Sequence, residues 1–104
     1  MNHHTNYHQS DIELVKLSMV FADPAIVTIL TILTKRGNWL KSEDLSIPGL
    51  NDLQLHKHIN TLKRSGLLIS KTNGNEKLYA ICTEKFENAC QIFLRFFNDM
   101  SKLD

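Results

Sequence analysis

At 104 residues, with 42% apolar and 22% charged side chains, the chain suits one small globular domain with a single core, and nothing in its length suggests two. Its longest apolar run, Ala25 to Leu33, is broken by threonines and falls far short of the ~20 residues needed to cross a bilayer, so no membrane span is expected. Net charge is only +1, yet residues 51–77 carry five basic and two acidic groups while each flank has one more acid than base, so positive charge concentrates in one segment.

The opening MNHHTNYHQ is polar and lacks the basic start, apolar centre and cleavage site of a secretory signal. Residues 1–9 are expected to form a flexible arm, followed by one domain over 10–104, in a cytoplasmic protein. Cys82 and Cys90 lack CxxC spacing and are expected as free thiols. Ser10 with Glu13 fits a capping box that starts a helix running to about Phe21. Asp23-Pro24 starts a second helix, with aspartate capping and proline in the first turn where its missing donor is harmless, and Gly37 ends it near Lys35. Ser42-Glu43-Asp44-Leu45 predicts a short third helix, closed by Ile47-Pro48-Gly49.

Asn51 then caps a fourth helix in which Leu55, Ile59 and Leu62 fall within about 60° of one another, a stripe that faces the core. Gly66 stops that helix. LLISKT and KLYAI flank Asn73-Gly74, a strong hairpin signal, and Thr83 can cap a last helix from Glu84 to about Lys102. The order helix, helix, short helix, helix, strand, strand, helix predicts a mainly α winged helix-turn-helix with an added helix at each end.

The end helices are more apolar than a surface position requires. Phe86 to Met100 spread apolar side chains over about 200° of the last helix, roughly twice the usual stripe, and the first helix is apolar nearly all round. A two-fold dimer through Leu14, Leu17, Phe21, Cys90, Phe93, Leu94 and Phe97 would cover this surface; the alternative is that a small domain wraps these helices over its own core.

In LHKHIN, His56 and His58 project about 200° apart on a helix and cannot close on one ion, so no metal is expected there. His58 is expected to pack at the stripe's edge and His56 to face solvent. Opposite the stripe stand Leu53, Lys57, Asn60 and Arg64, flanked by Gln54, His56 and Thr61: groups able to bond base edges or neutralise phosphates. Since the N-terminal half of a recognition helix reaches the bases, Asn51, Asp52, Leu53, Gln54, His56 and Lys57 are favoured for contact with double-stranded DNA. Lys71 and Lys77 bracket the Asn73-Gly74 tip and are expected along the phosphates. A solvated helix face is the plainer alternative.

FADPAIVTILTIL followed by LHKHINTLKRSGLLISKTNGNEKLYAI resembles the ArsR/SmtB family of winged-helix repressors, over roughly residues 14–97. The resemblance implies a homodimer joined by terminal helices that leaves operator DNA when an inducer binds. It further implies structural roles for Leu55, His58, Ile59 and Leu62 and DNA-facing positions for Gln54, His56 and Lys57. The chain departs from the family at its metal sites. NWLKSEDL stands where metal sensors carry Cys-Val-Cys, and residues 84–104 contain no histidine, so neither family metal site is expected. PAIV replaces the arginine usual after Asp-Pro, and Leu53 stands where a small polar residue is common.

His3, His4 and His8 can ligate metal but sit in a polar arm; Cys82 and Cys90 read either as small apolar side chains or as a thiol switch. Trp39 is expected as a core anchor. No phosphate loop, paired carboxylates or activated nucleophile suggests an enzyme, and no cofactor is expected. Two functions follow: a DNA-binding transcriptional regulator, or a winged-helix module that binds protein.

Overall fold

The computed structural model describes residues 6–37 and 39–102; His3 and His4 lie outside them. Its elements are α1 (Gln9–Phe21), α2 (Pro24–Arg36), a 3-10 turn (Ser42–Leu45), α3 (Asp52–Arg64), β1 (Leu68–Asn73), β2 (Glu76–Ile81) and α4 (Thr83–Ser101). This is the winged helix-turn-helix order expected from the sequence.

Two helix starts differ from expectation. α1 begins at Gln9 with His8 in the cap position, its carbonyl accepting from Asp11 and Ile12 N–H at 3.0 and 3.2 Å, and no side chain caps it. Ser10 therefore lies inside the first turn, where a serine cannot form the Ser10–Glu13 box, because that box needs its serine extended at the cap. Likewise Cys82, not Thr83, occupies the cap of α4, without a side-chain bond. The other starts form as predicted. Asp23 Oδ1 accepts from Ala25 N–H at 2.9 Å with Pro24 in the first turn, and Gly37 ends α2 at φ 63°.

α2 buries Ile26, Ile29, Leu30 and Leu33 on one side. On the other, Thr28, Thr31 and Thr34 donate their hydroxyls to the carbonyls one turn back, at 2.9, 2.8 and 2.8 Å. The short third helix is a single 3-10 turn whose Asp44 carboxylate accepts from Lys41 N–H at 3.0 Å and whose Leu45 is fully buried. α3 contributes Leu55, Ile59 and Leu62 to the same core. Gly66, at φ 83°, turns the chain out of α3, a conformation other residues adopt only under strain.

In the hairpin Leu68 pairs with Ile81 and Asn73 with Glu76, so the two loop residues are Gly74 and Asn75, not Asn73 and Gly74. The shift puts glycine, at φ 66°, first in the loop, as a primed turn demands. A third segment joins the free edge of β2: Leu40 N–H bonds Tyr79 O at 2.9 Å and Tyr79 N–H bonds Leu40 O at 2.8 Å. This pairing buries Leu40 and Tyr79 and leaves the adjacent Trp39 only half-buried, so Trp39 is not the core anchor the sequence suggested.

The terminal helices pack on each other, with Phe21 edge-on to Phe86 and Phe93 at 6.4 and 5.7 Å between centroids. Leu17 and Phe21 lie against the core, and Leu14 lines a cleft with Ile92 and Phe96 of α4. These residues and Phe93 are thus engaged within the protomer. Exposed instead are Val15 and Met19 of α1, and Cys90, Leu94, Phe97 and Met100 of α4. Among the described residues no single helix is long and apolar enough to cross a membrane.

Leu62 is fully buried and Leu53 is 70% exposed on the same helix. Leu62→Ala should lower the unfolding free energy by about 2–5 kcal/mol through lost transfer energy and a residual cavity. Leu53→Ala should change it by no more than about 0.5 kcal/mol in the same urea titration.

Candidate nucleic-acid interface

With Leu55, Ile59 and Leu62 turned inward, α3 presents Leu53, Lys57, Asn60 and Arg64 to solvent. At the N-terminus Asn51 Oδ1 accepts from Gln54 N–H at 2.8 Å and Gln54 Oε1 accepts from Asn51 N–H at 3.0 Å. Gln54, predicted to read bases, thus also closes the capping box, leaving its amide NH2 as the free donor. His56 is exposed with Nδ1 2.8 Å from Asp52 O; a nitrogen beside a carbonyl must donate, so Nε2 is the nitrogen turned outward. His58 does pack at the stripe's edge, its Nδ1 3.6 Å from Asp23 Oδ2, which ties α3 to the cap of α2.

The hairpin stands beside the His56 edge of α3. His56 and Asn60 line a groove of about 430 Å³ with Asn75, Lys77 and Tyr79, and Lys41, Glu43 and Glu76 line it too. The two wing lysines lie on opposite faces of the hairpin. Lys77 shares the face of buried Tyr79 and Leu68 and so is directed toward the helices, whereas Lys71 pairs with Leu78 on the outer face. There its Nζ sits 4.4 Å above the Trp39 ring, a cation–π contact that occupies the charge. Lys41 Nζ meets Glu76 Oε1 at 2.8 Å, and this contact raises the Lys41 pKa above the ordinary lysine value.

On the inner face Lys77 meets Lys63 of α3. The side-chain contact with Lys77, then burial, hold the Lys63 pKa below the usual lysine value. Among the described residues none of Lys57, Lys63, Arg64 and Lys77 has a carboxylate within 4.0 Å. The sequence reading omitted Lys63. It stands seven residues after His56 and so on the same helical edge, but its meeting with Lys77 depends on which hairpin face turns inward. Asn73 and Gly74 are exposed near the tip, and Asn51 and Asp52 are exposed at the start of α3. Among the described residues no three His, Cys, Asp or Glu side chains group to hold a metal; Cys82 is a half-buried and Cys90 an exposed free thiol.

No sequence-family model and no curated protein matches the chain. Solved structures do match. One ArsR-family transcriptional regulator is 22% identical over 97% of this chain and 99% of its own, with a TM-score of 0.72. An ArsR-like regulator from Rhodococcus sp. RHA1 is also 22% identical, over 88% of this chain and 83% of its own, with a TM-score of 0.73. A homodimeric winged helix-turn-helix DNA-binding domain from Mycobacterium bovis, described as a possible ArsR-family regulator, is 19% identical over 100% of this chain and 94% of its own at a TM-score of 0.63. The fold is that of the ArsR-like regulators. Within this ArsR-like fold α3 holds the recognition-helix place, β1 and β2 form the wing, and α1 and α4 are the added terminal helices.

The double duty of Gln54 has a measurable signature. Gln54→Ala should lower unfolding free energy by about 0.5–1.5 kcal/mol, the net worth of a hydrogen bond. Gln54→Glu keeps an acceptor for Asn51 N–H and adds negative charge at a helix N-terminus, so it should hold or raise stability in the same denaturation series.

Proposed function

We propose that the chain is a DNA-binding transcriptional regulator, acting as a repressor in the cytoplasm. Two copies bind operator DNA, each with α3 in a major groove and its wing along the backbone, and an inducer releases them. The observation that carries this reading is the outer face of α3. Apart from Leu53 it is polar, it bears Lys57 and Arg64 without carboxylate partners among the described residues, and it is bordered by a protruding hairpin. A surface of this kind suits phosphates and base edges together. The structural neighbours, transcriptional regulators among them, support the same use of the fold. No catalytic role belongs to this reading.

The second copy would cover the exposed stripe of the terminal helices. Val15 and Met19 are 57% and 72% exposed, Leu94 and Phe97 53% and 59%, and stacking of Phe97 on Phe93 at 6.4 Å extends that surface. This interface is shifted from the one drawn from the sequence: Cys90, Leu94 and Phe97 stay in it, while Val15, Met19 and Met100 replace Leu14, Leu17, Phe21 and Phe93.

Two measurements test the proposal. Sedimentation should give twice the 12.0 kDa chain mass, and Leu94→Asp should return it to one chain mass, because an unpaired charge is not tolerated in an apolar contact. Fluorescence anisotropy with duplex DNA should show affinity falling steeply with salt. Lys57→Ala should then weaken all duplexes alike, while Asn60→Ala relaxes preference at one base pair per half-site at a cost of about 1–3 kcal/mol. Negligible duplex affinity at low salt would hand the α3 face to a protein partner.

A further inference from the structure

We propose that the groove between α2 and the phenylalanines of the two terminal helices binds a small apolar carboxylate, an aromatic or medium-chain acid, whose head group pairs with Lys35. The inference rests on the regulator reading above and names the chemical class of its inducer. Phe21, Val27, Leu30, Thr31, Thr34 and Phe86 line an open groove of about 270 Å³, and Lys35 is the one charged side chain in that lining among the described residues. The volume falls just under the ~300–1,000 Å³ of pockets that take drug-sized molecules, so it suits a single ring or a short chain. On α2 the lining residues recur at i, i+3, i+4 and i+7, a stripe beside the one that fills the core. None of them belongs to the surface assigned above to the second copy.

The wall is already set for an apolar guest. Phe21 and Phe86 meet edge to face at 6.4 Å and both pack against the core, so their rings are held in place before anything binds. Thr31 donates to Val27 O and Thr34 to Leu30 O, each at 2.8 Å, which leaves a guest carbon rather than free hydroxyl donors. Charge then selects the head group. The last turn of α2 carries two cations: Arg36 lies 3.5 Å from Asp44, whereas Lys35 has no carboxylate within 4.0 Å among the described residues. A carboxylate at the mouth would accept from the Lys35 ammonium while its tail covers exposed Val27. An amine would meet like charge there. Because the groove has a wall on each of α1, α2 and α4, a guest ties the terminal helices to the helix whose Asp23 cap touches His58 of α3. Occupancy would thereby bias the angle between the two copies of α3.

The test titrates 3-phenylpropionate, 3-phenylpropanol and 3-phenylpropylamine into the full chain without DNA and follows backbone amide NMR shifts. The acid should saturate with a Kd near or below ~1 mM, with shifts centred on Val27, Thr31, Thr34 and Phe86. It should bind roughly two- to fivefold more tightly than the alcohol, the margin an exposed ion pair gives, and the amine more weakly than either. Lys35→Met should erase the acid's margin and leave the alcohol unchanged. Val27→Trp, which plugs the groove from an exposed position, should abolish binding with little change in Tm. Absence of saturation, shifts centred elsewhere, acid and alcohol binding alike in the wild type, or a margin kept in Lys35→Met would each overturn the site. Loss of a wild-type dimer in Val27→Trp would give the groove to the second copy and overturn it as well. For the inducer role, the acid should weaken duplex binding in fluorescence anisotropy, and duplex should weaken the acid by the same factor, with neither effect in Val27→Trp. Acid that binds yet leaves duplex affinity unchanged would overturn that role. A wild type without duplex affinity at low salt would instead defeat the regulator reading, while the acid's binding in the absence of DNA stands or falls on its own titration.

Discussion

The burial of Leu55, Ile59 and Leu62 against α2 and the base of the hairpin fixes the rotation of α3 about its own axis, and most of what the surface offers follows from that angle. The three side chains are 3%, 1% and 0% exposed, so no turn of the helix is available without pulling one of them into water. At about 25 cal/mol per Å² of apolar surface, that change would cost more than any surface contact could return. Lys57, Asn60 and Arg64 are therefore directed outward by the aliphatic side chains on the other side. His58 and Asp23 lock the same angle from the edge, through a contact that also touches the cap of α2.

The second constraint is the hydrogen-bonded pair between Leu40 and Tyr79. It makes the wing a three-segment ribbon at its base rather than an isolated hairpin, which on its own is marginal in water. It also divides the charges of the wing. Trp39 and Lys41, on either side of Leu40, come to the outer face and engage Lys71 and Glu76; Lys77 stays on the inner face toward α3. Two hairpin lysines six residues apart thus belong to different environments.

Local chemistry was what the sequence made legible. Asp23-Pro24, Asn51 and Gly66 each act within a few residues, and each does in the structure what the sequence suggests. The stripe of α3 and the order of the elements followed from the same short-range rules. Two local signals gave way: helix α1 starts two residues early, which takes Ser10 out of its cap, and the Asn73-Gly74 loop moves on by one because Asn73 still pairs with Glu76. Contacts between distant segments left no mark in the sequence. Lys71 over Trp39, Lys63 beside Lys77 and the pairing at Leu40 all depend on how the hairpin is seated. The apolar surplus of α1 and α4 was visible, but the sequence could not divide it between the core and the outside, so Phe21 and Leu17 were assigned outward when they point in.

The threonines of α2 carry a consequence for how water meets this helix. Thr28, Thr31 and Thr34 turn their hydroxyls back onto the carbonyls of the preceding turn, so each presents its methyl group to the outside. With Val27, which is 44% exposed, they give a helix side that counts as polar by composition but is coated in hydrocarbon. Exchange of these threonines for serine would keep every hydroxyl bond and strip only the methyls, making the surface more wettable without touching the hydrogen-bonding pattern.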